Sequence, residues 1–494
     1  MNEYDVIVVG AGNAALSAAA SAREAGAERV LVLEKATEAM RGGNTHYSGG
    51  LFRFAFDDSE ALRTIVPHAE RQVPGFFQDV APYPRERFRA DLDRVTEGRS
   101  DRVLSAILID QSQDAVRWLL AQGIEMEAAV SLSAIKHGDK VRWSPGAVVR
   151  ARGEGVGLSR TWFEIMERLE VNVRYETGAS ELLMNGRGAI EGVRALGPEG
   201  QETLRAASVV LGCGGFEANP AWRARYLGAP WDLAKVRGTP YNTGDGLGMA
   251  FAVGAAAHGQ YTGRHSTPID ADAPPFGDRK LTDKTNRLSY PFGVMINRKG
   301  ERFVDEGEDF QFYTYAKMGG TILDQPGGIA FQIFDSQTTH LLEGRYKTGQ
   351  PFTADTLEGL LAQLPVEQET ARKTLASYNQ EARGEGFDPT ELDGVGTKNL
   401  EPPKSNWATP LDRPPFFAYP ATGGITFTFG GLRIDETARV IGANWKPIPG
   451  LYACGEMVGG LFYHNYPGGA GLVSGAVFGR IAGRQAALNE HAWS

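Results

Sequence analysis

Gly10-x-Gly12-x-x-Ala15, with Glu34 lying 24 residues beyond Gly10, is a set of residues able to hold a dinucleotide. Gly10 permits a tight turn. Gly12 lets a pyrophosphate approach the backbone at the positive end of a helix opening with Asn13 and Ala14, and Ala15 keeps that helix close to the preceding strand. Glu34, with Lys35 beside it, stands where a carboxylate accepts hydrogen bonds from a ribose. A second glycine-rich turn follows at once, Arg41-Gly42-Gly43-Asn44-Thr45 with Ser48-Gly49-Gly50. A long, extended dinucleotide needs such a turn as it runs toward its ring system, and this pattern predicts FAD rather than NAD. Near the other end, Leu451 to Cys454 runs into Gly455-Glu456, and Tyr466-Pro467-Gly468-Gly469-Ala470-Gly471 leads through Leu472 and Val473 into a helical stretch. That helix would bring its positive end to the flavin and favour the reduced, anionic ring.

The elements that must position these turns are readable around them. Val6 to Val9 and Val30 to Leu33 are short apolar runs separated by an alanine-rich stretch of helical spacing, which predicts strand, turn, helix, strand. A helix is predicted over 160–169, with strands over 171–175, 181–184, 189–196 and 207–211. The last strand enters Gly212-Cys213-Gly214-Gly215-Phe216, and Thr243-Gly244-Asp245-Gly246 follows. From about Tyr261 the chain becomes polar, proline-containing and less periodic, as an insertion would. Strands are predicted there at 293–297 and 328–334, helices at 355–364 and 367–382, and a return linker around Pro402, Pro403, Pro410, Pro414 and Pro415.

Composition narrows the partners. A chain of 494 residues can carry two domains with substantial cores, and many of its 62 glycines sit in the turns above. A net charge of -9 argues against nucleic acid, while leaving room for a local basic patch toward an anionic substrate. No apolar run approaches the roughly 20 residues of a membrane span, and no basic, then apolar leader precedes Asp5; a soluble, cytoplasmic protein is expected. Cys213 and Cys454 are the two cysteines, too few for an iron–sulfur cluster, and Cys213 reads as a small core residue. No second G-x-G-x-x-G unit with a following acid marks an NAD(P)H domain. Electrons must then pass from flavin to an external acceptor, with a quinone, a small electron-transfer protein and oxygen as the candidates.

Taken together, these motifs resemble the flavoprotein subunits of the fumarate reductase and succinate dehydrogenase superfamily over nearly the whole chain. Within it, RGGNTHYSGG, DEGEDFQFYTYAKMG and GGLFYHNYPGGAGLVSGAVFGRIAG look most like the FAD-dependent tricarballylate dehydrogenases. The Tyr-Pro-Gly turn is shared with 3-ketosteroid dehydrogenases. The resemblance implies an α/β, Rossmann-type FAD-binding domain over 1–261 and 417–494, with an inserted α+β capping domain over 262–416. A cap serves hydride transfer by holding the donor carbon against the ring in a water-poor site. The implied reaction is FAD-dependent desaturation, placing a C=C bond α,β to a carboxylate or ketone by hydride transfer to flavin N5.

Individual positions carry the resemblance further and also depart from it. His265, in Gly263-Arg264-His265-Ser266-Thr267, matches the histidine that binds a substrate carboxylate in fumarate reductases, although alone it reads equally as a buried structural residue. Arg264 could grip a carboxylate bidentately. The Glu306–Phe310 segment lacks the family's proton-shuttling arginine; Tyr313 and Tyr315 stand nearby. Thr426 or Thr428 occupies the place of a family histidine. Most sharply, Asn465-Tyr466-Pro467-Gly468-Gly469 replaces a substrate-binding arginine with Tyr466, preceded by His464. A phenol there can donate to a developing oxyanion or simply pack on the flavin. The resemblance favours a small polycarboxylate such as tricarballylate, with a cyclic ketone or keto acid as competitor; an FAD monooxygenase and a non-catalytic flavin protein are the remaining readings. Gly42 to Thr45 contains no histidine for covalent attachment and His46 is offset, so FAD is expected to be non-covalent.

Overall fold

The computed structural model describes residues 3–489. Tyr4–Val9 lies at the centre of a parallel sheet, between Gly200–Leu211 and Val30–Leu33. Asn172–Arg174 continues the sheet on one side and Pro447–Ala453 on the other. Val6 to Val9 and Val30 to Leu33 are almost free of solvent, as strands covered on both faces must be. The antiparallel pair Gly178–Met184 and Ile190–Gly197 extends from Gly200–Leu211.

Helix Asn13–Glu24 covers one face, and the C-terminal helix Ala470–Ala487 packs along it. The sequence permits this closeness through small residues: a Cβ at Gly479 or Gly483 would overlap the carbonyl oxygens of Ala14 or Ala18. The Ser21 hydroxyl pins the seam by donating to the Arg480 carbonyl at 2.8 Å. Two glycine turns from opposite ends of the chain are thereby fixed side by side.

A second, mainly antiparallel sheet contains Arg264–Asp270, Val294–Asn297, Ile329–Asp335, Phe352–Ala354 and Phe416–Thr428. Met318 and Ile322 of helix Gln311–Leu323 pack on one face. Leu360, Leu375 and Tyr378, from helices Leu357–Leu361 and Gln368–Glu381, pack on the other. The architecture is the expected Rossmann-type unit with an α+β cap. Phe416–Thr428 starts where the return to the first unit is expected and pairs with strands of the insert through Thr428. It therefore carries cap residues directly to the nucleotide-binding side. Among the described residues no helix is long and apolar enough to cross a membrane.

Candidate active site

A cavity of about 280 Å³ runs between the two sheets' inner ends. At one end it is walled by the first glycine turn, where Gly10, with φ +101°, leaves no room for a side chain: a Cβ would sit 2.7 Å from the Gly212 carbonyl oxygen. Helix Asn13–Glu24 opens from Gly12 with no side-chain cap and no acid in its first turn. Its positive end faces the cavity at Asn13 and Ala14, a cradle suited to a pyrophosphate, with the Asn13 amide donating to the Thr45 hydroxyl at 2.8 Å. Ala15 lies behind, against Gly212. The buried Glu34 accepts the Ala36 amide at 2.9 Å, and its carboxylate borders the cavity. Burial raises its pKa, and the Ala36 amide opposes that rise. Lys35 crosses the mouth to Thr243 and Asp245, at 2.6 Å each.

Gly43, Asn44, Thr45, Ser48 and Gly49 line the middle of the cavity, with Gly214, Glu456, Gly471 and Leu472 opposite. Arg41, Gly42, Gly50, Gly468 and Val473 stand behind the lining and hold it. Arg41, for example, reaches Tyr175 at 2.8 Å and lies over Phe163. His46 is also outside the lining, its Nε2 3.4 Å from the Arg279 carbonyl. The chemistry of this donor set fits FAD along its length.

The far end is built by four separate elements. Strand Arg264–Asp270 brings His265, strand Phe416–Thr428 brings Phe427, helix Gln311–Leu323 brings Tyr315, and the turn before the C-terminal helix brings Tyr466. The His265 ring sits 4.9 Å from Tyr315, 4.9 Å from Phe427 and 5.0 Å from Tyr466 by centroid. It is 2% exposed and its Nδ1 has no partner. Burial, and then the Arg237 charge, pull its pKa well below the ordinary value, so it is neutral. The Tyr466 oxygen accepts the Gly471 amide at 2.9 Å, from the first turn of the C-terminal helix. Burial raises the pKa of both Tyr466 and Tyr315, and each stays a phenol.

Three expected residues point elsewhere, for simple geometric reasons. Neighbours on a strand alternate faces, so Arg264 turns away from His265 and stacks on Trp231 at 4.2 Å. Positions two apart on a helix face apart, so Tyr313 leaves Tyr315 and donates to Asp91 at 2.8 Å. His464 approaches the exposed Glu97 at 3.6 Å. None of the three lines the cavity.

Sequence reasoning missed Arg237, Asp283 and Arg345, which do line it. Asp283 and Arg345 are ion-paired with each other, and Arg345 also meets Glu343 at 3.2 Å. Arg237 differs. Its Nε donates to Thr426 at 2.9 Å and its Nη1 to the Tyr47 carbonyl at 3.5 Å, while Nη2 has no acceptor among the described residues. Among the described residues no carboxylate lies within ion-pair distance of it. The one available signal was its place in Val236-Arg237-Gly238, just before the Thr243-Gly244-Asp245 turn.

A family model described as FAD binding domain matches residues 5–473 of this chain. A protein named fumarate reductase (cytochrome) from Shewanella frigidimarina is 28% identical over 488 residues, spanning 98% of this chain and 77% of its own. An open conformation of a flavocytochrome c3 fumarate reductase superposes with a TM-score of 0.72 at 27% identity, covering 99% of this chain and 79% of that one. The 3-ketosteroid Δ1-dehydrogenase of Sterolibacterium denitrificans superposes with a TM-score of 0.76 at 22% identity, covering 99% and 100%. At that identity the likeness is one of fold.

Proposed function

The chain belongs to the FAD binding domain family, in the fumarate reductase and succinate dehydrogenase flavoprotein superfamily, and is an FAD-dependent oxidoreductase acting on CH–CH groups; from that premise we propose that it dehydrogenates a small carboxylate beside its carbonyl carbon, with a tricarballylate-like polycarboxylate as the fitting case. Bound FAD supplies the hydride acceptor. The observation that carries the carboxylate reading is Arg237, a half-buried guanidinium with an open Nη2 in the cavity that holds His265. A cation partly withdrawn from water and without a carboxylate partner favours an arriving anion.

The chain's own groups then divide the work. Arg237 and the unpartnered His265 hold a substrate carboxylate. Tyr466, polarised by the amide it accepts at the helix terminus, donates to the oxygen that gains charge as the α-hydrogen leaves. Asp283, held by Arg345, is the carboxylate at this end of the cavity and takes that proton. Phe427, Phe429 and Phe462 close the wall and exclude water. That same aromatic wall favours the second reading, a cyclic ketone substrate. Titrating the oxidised holoprotein with a small tricarboxylate should perturb the flavin absorbance saturably, and its trimethyl ester should not. Equal binding of acid and ester would overturn the carboxylate reading.

Two expectations concern the cofactor. FAD is held without a covalent bond, so acid precipitation should release all yellow colour into the supernatant; colour retained by the pellet would contradict this. Glu34→Ala should weaken FAD binding by about ten- to a hundredfold, the worth of roughly 1.5–3 kcal/mol of charge-assisted hydrogen bonds. Equilibrium dialysis measures it, and an unchanged dissociation constant would remove Glu34 from the site.

A further inference from the structure

We propose that Glu217 and Glu456 hold one proton between them beneath the FAD site, Glu217 as the neutral acid and Glu456 as its charged partner on the cavity side. Glu217 is fully buried, and its Oε1 accepts from the side-chain amides of Asn44 at 2.7 Å and Asn242 at 2.6 Å. Its Oε2 has neither a protein partner nor solvent. Glu456 borders the cavity, with Oε1 accepting from the Thr428 amide at 2.7 Å and hydroxyl at 3.0 Å. The two carboxyls are neighbours, within reach of each other's charge and of a shared hydrogen bond. Burial drives the Glu217 pKa well above the usual range, and the neighbouring Glu456 charge drives it further; burial also raises Glu456.

A proton on Glu217 Oε2, directed at Glu456, meets the orphaned oxygen and removes the confrontation of two like charges. Among the described residues no cation does this instead. Arg223, on helix Pro220–Leu227, is the charged group packed against Glu217, and it donates to the Glu217 backbone carbonyl at 2.5 Å and the Asp232 carbonyl at 2.9 Å. Asn44, Asn242, Thr428 and Gly215 complete the surroundings and are neutral. Asn44 lines the cavity, and its amide is oriented by Glu217, by the Thr426 carbonyl at 2.7 Å and by the Thr239 amide at 2.9 Å. Neutral Glu217 is thus a positioning residue for two members of the FAD wall. Losing its proton adds a second negative charge there, so FAD affinity should fall as pH rises through that ionisation, by up to about tenfold per pH unit.

The test needs no substrate, so its failure is distinct from failure of the proposed reaction. FAD is titrated into deflavinated protein between pH 6 and 10, followed by flavin fluorescence. The wild-type dissociation constant should climb in the alkaline range. Glu217→Gln, which keeps a neutral side chain, should bind FAD at neutral pH within about threefold of wild type and stay flat where wild type climbs. Infrared difference spectra should show a protonated-carboxyl band at neutral pH that Glu217→Gln lacks. An alkaline slope unchanged in Glu217→Gln, or no band lost in it, would overturn the proposal. Should that variant fail to fold, a pH-independent wild-type dissociation constant overturns it alone.

Discussion

Tyr466→Phe should slow the anaerobic reduction of flavin by substrate by about 10²–10³-fold, the usual cost of one oxyanion donor, while FAD content stays unchanged. The ring survives the change, and with it the packing on His265, Phe427 at 5.3 Å and Phe462 at 5.0 Å. What disappears is a hydroxyl whose oxygen is already engaged by the Gly471 amide, leaving its proton free to be donated. Losing that acceptor also strands a first-turn amide, a stability cost of about 1–3 kcal/mol that a melting curve measures separately. A stable variant reduced within about threefold of the parent rate would make Tyr466 a packing residue, leaving His265, Tyr315 and Asp283 to carry the chemistry.

Arg237→Gln should raise the dissociation constant of the carboxylate substrate by about 30-fold or more, since removing one partner of a hydrogen-bonded charge pair costs about 2–5 kcal/mol. Arg237→Lys should recover part of the loss, because a point charge replaces the charge but not the planar fork. Stability should move the other way. The free protein partly desolvates this guanidinium without a carboxylate partner, so Arg237→Gln should melt no lower than the parent. A variant that melts lower but binds carboxylates normally would make Arg237 structural.

Much of this was legible locally. The strands at Val6–Val9 and Val30–Leu33 and the turns after them are set by neighbours in sequence, so continuous apolar runs ending in glycine locate them. The helix expected from residue 160 in fact begins at Glu154. Gly155 and Gly157, poor helix formers, disguise its first turn, where a Cβ would overlap the carbonyl oxygens of Thr45 or Arg152. Side-chain direction was readable once the element type was known: alternation separates His265 from Arg264, and helical rotation separates Tyr315 from Tyr313. Arg237, the Asp283–Arg345 pair and the Glu217–Glu456 pair were not readable. Each becomes meaningful only when distant segments meet, and as isolated charged residues they resemble any solvated position.

The most direct measurement of the account is anaerobic mixing of the purified yellow protein with a panel of saturated di- and tricarboxylic acids, their methyl esters, and cyclic ketones. At least one acid should bleach the flavin band, its ester should not, and neutral ketones should leave the band intact. Bleaching by a neutral ketone alone, or by none of the compounds while dithionite still reduces the flavin, would contradict it.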